Sequence, residues 1–192
     1  MNIKENADSI LNSNLSKKEK VIKLCEFVRE IPYKRIGSLN PKDMVKAGMG
    51  SCTPKHIFLA SCLKKLGVPL KFLIIPFYYK KLPLKYSKDT QELVQNMPIS
   101  YHIALKAKIE NKWLIIDVTW NSRLKPLGFT VNENWRGDKD MVFGVIPEEI
   151  IEKEVDPRKF EKDKAKNYTK DQILARKKFY ELLDNMMDPF RD

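Results

Sequence analysis

The chain of 192 residues carries two histidines, His56 and His102, and three cysteines, Cys25, Cys52 and Cys62. These are the groups from which a thiol nucleophile and an imidazole base would be assembled. Cys25 shares a helical apolar face with Val21, Leu24 and Val28, which makes it an inert core thiol. Cys62 lies inside a second helical pattern. Cys52 differs, because Pro54 follows it closely and proline is tolerated only in the first turn of a helix, where its missing N–H would be orphaned anyway. The cysteine therefore sits at a helix N-terminus. There the helix dipole and unpaired N–H groups stabilise a thiolate, drawing a thiol from about 8.5 towards or below neutrality. The same N–H groups can bind an oxyanion.

A base and an acid follow from a hairpin. The runs 100–109 and 112–119 flank Glu110-Asn111 and read as two antiparallel strands. A two-residue turn makes paired positions sum to 221, so Ala104 faces Asp117 and His102 faces Thr119. His102 and Asp117 are then diagonal neighbours on one face. A three-residue turn would separate them. In this register Asp117 fixes the imidazole tautomer and stabilises the imidazolium, while the other ring nitrogen takes the Cys52 proton. A carboxylate between Ile116 and Val118 also needs such a partner if it is buried.

The elements that must position these groups are legible in outline. Ser16 and Glu19 have the form of a capping box, which starts a helix that ends before Pro32. Residues 31–40 look irregular, and 41–47 form a short helix stopped by Gly48 and Gly50. The helix from Cys52 to Leu66 carries Ile57, Phe58, Leu59, Cys62, Leu63 and Leu66, stops at Gly67 and reads as the central buried helix. The β-branched and aromatic run 70–79 is a core strand, and a short helix is expected near 90–94. From about Pro147 the chain is charged and helical in pattern, closing on Ile173, Phe179, Leu182 and Leu183. The polar segments 80–98 and 121–140 are expected to shape the cleft rim. No internal repeat or linker is evident.

Gly50-Ser51-Cys52 with its helix and Gly67-Val68-Pro69, then Tyr101-His102, then the run from Trp113 to Trp120, resembles the transglutaminase-like superfamily over about residues 44–121. That resemblance implies a papain-like core with Cys52 as nucleophile, His102 as base and Asp117 as orienting acid. It also implies a second oxyanion donor upstream of the cysteine, for which Tyr33 and Asn40 are the candidates. Where that family often has a small residue four positions after the cysteine, this chain has His56. Helical rotation returns His56 near the Cys52 azimuth, so it is a candidate for the cleft lining. The simpler reading is a polar residue packed near the helix start, since the sequence places no carboxylate to orient it. A zinc site from Cys52, His56, His102 and Asp117 is arithmetically possible but not needed to explain the thiol. Trp113 and Trp120 are expected in the core or cleft wall.

The expected fold is a single α+β domain over residues 1–192, with helices packed on an antiparallel sheet. A chain of this length buries roughly 70% of its unfolded surface, so it needs no disulfide or metal to fold. The expected activity is thiol-dependent acyl transfer on an amide, as a cysteine protease or amidase. The alternatives are a transamidase and a catalytically silent binding module. No cofactor is implied. An odd number of cysteines without a CxxC pair, and a polar start without a secretory signal, lead us to expect the reducing cytoplasm. No apolar run is long enough to span a bilayer. The net charge of +11 invites a nucleic-acid reading, but the bases interleave with acids, as on a solvated helix face, and no nucleic-acid motif is present. The expected partner is a peptide or protein substrate, and the charge favours an acidic one.

Overall fold

The computed structural model describes residues 2–154 and 156–190, with the backbone alone at 161 and 165. The first helix, α1 (Ile3–Asn12), is capped by the Asn2 side chain and buries Ile3 and Ala7. The polar start had given no sign of it. Helix α2 (Lys17–Glu30) begins at the expected capping box, with Ser16 and Glu19 each satisfying the other's backbone N–H. It buries Val21, Leu24, Cys25 and Val28 along one face. Helix α3 (Pro41–Ala47) ends on Gly48, whose φ of 71° is left-handed. Helix α4 (Cys52–Lys65) follows and places Cys52 in its first turn.

Strands β1 (Leu70–Phe77), β2 (Ser100–Ile109), β3 (Lys112–Ile116) and β4 (Ile151–Lys153) form a sheet in the order β3-β2-β1-β4, with all pairings antiparallel. Strand β1 pairs with β2, and β2 pairs with β3. The hairpin register is Ile109 opposite Lys112 through Leu105 opposite Ile116, the sum-of-221 register expected from a two-residue turn. Glu110 takes the left-handed conformation that the turn requires, with φ 53°. Helix α5 (Lys88–Gln95) lies between β1 and β2 in sequence.

Side-chain alternation gives the sheet two covered faces. Phe72, Ile74, Ile103, Leu105, Leu114 and Ile116 pack with the buried residues of α1 to α4. Leu73, Ile75, Phe77 and Ala104 pack instead with Phe179, Leu183 and Met187. Those last three belong to helix α7 (Lys170–Met187). The fold is therefore α+β, with a four-stranded antiparallel sheet between helical layers.

The C-terminal third departs from expectation. Strand β4 (Ile151–Lys153) pairs with β1 where a helix was expected, and the tail becomes helical only at α6 (Pro157–Ala165). Asp156 caps α6, and proline occupies the first turn of that helix. Three residues give too short a window for strand periodicity to emerge from a charged stretch. Ile173 does not close the core and is exposed on the α7 surface. Trp113 is 40% exposed on β3, outside both core and cleft. Among the described residues no helix is long and apolar enough to cross a membrane.

Candidate active site

Cys52 is half-buried at the start of α4, whereas Cys25 and Cys62 are buried. Ser51, the N-cap, makes no side-chain capping hydrogen bond, and Pro54 has no N–H to contribute. The helix start is therefore not closed by its own cap. Burial pushes the Cys25 and Cys62 thiols up, as expected for core sulfurs.

His102, on β2, meets Asp117 just beyond β3, with 2.6 Å between Nε2 and a carboxylate oxygen. The diagonal contact inferred from the hairpin thus exists, although the regular ladder stops one residue short of Asp117. Cys52 lines the same cavity as the ring and helps to raise its pKa. Because Nε2 is engaged by the carboxylate, Nδ1 is the nitrogen left for the thiol. Burial alone would lower the His102 pKa; the Asp117 charge and hydrogen bond override it and raise it to about 10.

Both oxygens of Asp117 are saturated. One accepts from the Thr119 N–H at 3.1 Å and the Thr119 hydroxyl at 2.6 Å. The other accepts from His102 and from the Gly144 N–H at 2.8 Å. Burial would raise this carboxyl, but His102, His56 and the Gly144 hydrogen bond together hold it below the usual carboxylate range.

Linkage fixes the sign of a pH effect. His102 is protonated to a higher pH when folded than when unfolded, so its contribution is complete below about pH 6.5 and is lost as pH rises through about 10. Lys55, whose pKa burial lowers to about 7, acts in the opposite sense over the same window, because there the unfolded chain holds its proton. The pH slope of stability to urea from pH 7 to 10 should therefore be more positive in His102→Ala than in wild type. Equal slopes in the two proteins would contradict the buried imidazolium.

Gly144 had no signal in the sequence. Its carbonyl accepts from Trp120 Nε1 at 2.7 Å, and a Cβ built on it would lie 2.6 Å from that nitrogen and 2.8 Å from Cδ1 of the same ring. A rigid indole packed 4.3 Å from the Tyr33 ring and 4.2 Å from the Phe129 ring has little room to yield. Gly144→Ala should therefore displace the Asp117 partner loop and reduce Cys52 reactivity at least about tenfold. Wild-type reactivity in that variant would show that the loop does not hold the acid in place.

Lys55 was also missed. It is fully buried, and its ammonium donates to the carbonyls of Arg29 at 2.8 Å, Ile31 at 2.9 Å and Thr119 at 2.8 Å. Three acceptors match its three N–H donors. Burial lowers its pKa to about 7 against the opposing pull of Glu30 and Asp117. Lysine is rarely buried unless paired, and the sequence offered no hint of partners that are backbone carbonyls distant along the chain.

His56 joins the helix start to the acid-bearing segment. The Val118 N–H donates to its Nε2 at 3.1 Å, which leaves the proton on Nδ1, and Nδ1–H donates to the Cys52 carbonyl at 2.9 Å. Burial, reinforced by the His102 charge, lowers its pKa to about 4. It is a neutral, fully buried bracket rather than a cleft residue. A carboxylate does lie near it, since an Asp117 oxygen is 3.8 Å from Nε2. With both His56 nitrogens committed to the backbone, and His102 and Asp117 to each other, these groups do not assemble as metal ligands. Among the described residues no cluster of three or more His, Cys, Asp or Glu could hold a metal.

A cavity of about 230 Å³ opens over Cys52 and His102, and Tyr33, Thr119 and Trp120 contribute to its wall. Burial raises the Tyr33 phenol, with Cys52 nearby adding to the effect, so it remains a donor at neutral pH. Asn40 does not reach this cavity; it caps α3, accepting from the Lys42 N–H at 3.0 Å. The rim differs from expectation as well. Neither 80–98 nor 121–140 lines the cavity, whereas Lys162 on α6, Tyr168, and Arg176 and Tyr180 on α7 do. Helices remote in sequence supply what the intervening loops were expected to supply.

No protein-family model matches the chain and no curated protein matches it. Among solved structures, it is similar to a putative cysteine protease from Cytophaga hutchinsonii, with 17% identity and a TM-score of 0.42. That similarity covers 66% of this chain and 39% of the other.

Proposed function

We propose that this protein is a thiol-dependent acyl-transfer enzyme acting on amide bonds, with water as the usual acceptor. The observation that carries the reading is a helix-start cysteine sharing one cavity with His102, which is itself hydrogen-bonded to the saturated carboxylate of Asp117. The order of these residues along the chain also resembles the transglutaminase-like superfamily and its papain-like core. Cys52 Sγ, its proton already held on His102 Nδ1, attacks the carbonyl carbon. The tetrahedral intermediate collapses, the C–N bond breaks, and His102 returns the proton to the departing amine, leaving a thioester on Cys52. Water, deprotonated by the same imidazole, then releases the acid. The protonated Tyr33 phenol is the oxyanion donor in this scheme, beside the N–H groups of the helix start.

The experiment is acid-quenched intact mass spectrometry after incubation with a panel of peptide p-nitroanilides. An acyl adduct on Cys52, absent in Cys52→Ser, is the expected result. Adding a primary amine then separates hydrolysis from transamidation, and we expect free acid to remain the main product. Failure of every panel member to acylate a folded protein whose Cys52 is alkylated normally would overturn the acyl-transfer reading.

A further inference from the structure

The cavity over Cys52 has a charge that its catalytic groups do not require. Arg35, Lys162 and Arg176 line it, and among the described residues no Asp or Glu does. The two arginines are held by aromatic rings rather than by acids. The Arg35 guanidinium lies 3.7 Å from the centre of the Tyr180 ring. Arg176 lies 5.1 Å from that same ring and 4.6 Å from the Tyr168 ring. Stacking on a ring face fixes a guanidinium while leaving its N–H groups directed outwards at the edge, where they are available to a planar acceptor. Arg176 also donates to the Ser100 hydroxyl at 3.1 Å, which ties it to the strand carrying His102.

Like charges are not brought to one tyrosine without cost, and acids would ordinarily offset it. Glu181 and Asp184 line a neighbouring groove that shares Arg35 and Tyr180 with this one. Even so, among the described residues no carboxylate lies within ion-pair distance of Arg35, Arg176 or Lys162. A carboxylate supplied by the substrate would complete the arrangement, since its two oxygens match a guanidinium edge.

We propose that this aromatic-held arginine pair is a binding subsite for a carboxylate, and that the substrate is an amide whose acyl portion carries a carboxylate near the scissile bond. The inference rests on the thiol reading of Cys52. It goes beyond that reading by assigning Arg35 and Arg176 the role of specificity determinants, with Lys162 adding charge at the rim.

The test uses two maleimides of equal size, N-carboxyethyl-maleimide and its carboxamide, with addition to Cys52 followed by mass spectrometry. At low ionic strength the acid should react about tenfold faster than the amide, relative to the same pair on a small free thiol. That preference should disappear in Arg35→Gln/Arg176→Gln and in high salt, while the carboxamide rate stays within about twofold of wild type. A wild-type ratio equal to that of the free thiol would overturn the subsite, and needs no variant. A preference that survives both arginine substitutions would overturn it too, by placing the attraction on Lys162 and His102 instead. A Cys52 inert to both reagents would overturn the thiol reading, and the subsite with it.

Discussion

Asp117→Asn should lower the rate of Cys52 acylation by about 10³-fold or more, the scale seen when the orienting acid of a nucleophile triad is made neutral. The reason lies in the four donors that converge on two oxygens: the Thr119 N–H and hydroxyl on one, the Gly144 N–H and His102 on the other. An asparagine has one acceptor end. If its amide nitrogen faces Gly144, it meets an N–H donor and forces His102 to accept at Nε2. The proton then sits on Nδ1, and the imidazole can no longer take one from Cys52. If it faces Thr119 instead, it meets that backbone N–H. The His102 geometry then survives, but without the negative charge that raises the imidazole. Either orientation leaves a buried donor without an acceptor, so a stability loss of about 1–3 kcal/mol should accompany the loss of activity. The doubled acceptors make that destabilisation measurable. Acylation within tenfold of wild type in a folded Asp117→Asn protein would remove the acid from the mechanism.

The largest expected effect on stability is at Lys55. Lys55→Met keeps the length and apolar stem but strips three buried carbonyls, those of Arg29, Ile31 and Thr119, of their common donor. Breaking one side of a buried charged network typically costs about 3–5 kcal/mol. In a chain of this size that lowers the melting temperature by roughly 6–20 °C. The ammonium ties the end of α2 to the residue two beyond Asp117, so urea unfolding and the pH profile of Cys52 reactivity should both shift. A Met variant as stable as wild type would show that solvent or backbone movement satisfies those carbonyls without the lysine.

What the sequence disclosed and what it hid divide along a physical line. Signals that act within a few residues were readable: the capping box at Ser16, the proline that pins the start of α4, and the turn that sets the β2–β3 register. The His102–Asp117 contact was readable because a register is arithmetic, once the turn length is known. Features made by residues far apart in the chain left no local pattern. Lys55 looks like any surface lysine until three distant carbonyls surround it. Gly144 looks like a loop glycine until the Trp120 ring is seen against it. The cavity rim was misassigned for the same reason, since polar loops beside the motif look like a rim, yet α6 and α7 fold back to provide it. His56 falls between these cases. Its helical spacing brought it towards Cys52, but only the Val118 N–H and the Cys52 carbonyl make it a neutral bracket rather than a second base.

The account stands or falls on whether His102 activates Cys52. The most direct measurement is the second-order rate of iodoacetamide alkylation at Cys52, followed from about pH 5 to pH 10 in wild type and His102→Ala, with the modified residue located by peptide mass spectrometry. Because His102 stays protonated up to about pH 10, an imidazolium faces Cys52 throughout the neutral range. Wild-type alkylation at pH 6 should therefore keep at least about half of its pH 9 rate, and in His102→Ala that fraction should fall below about one tenth. A wild-type rate that climbs steadily up to about pH 8.5, matched by the variant, is the behaviour of an ordinary thiol and would contradict the account.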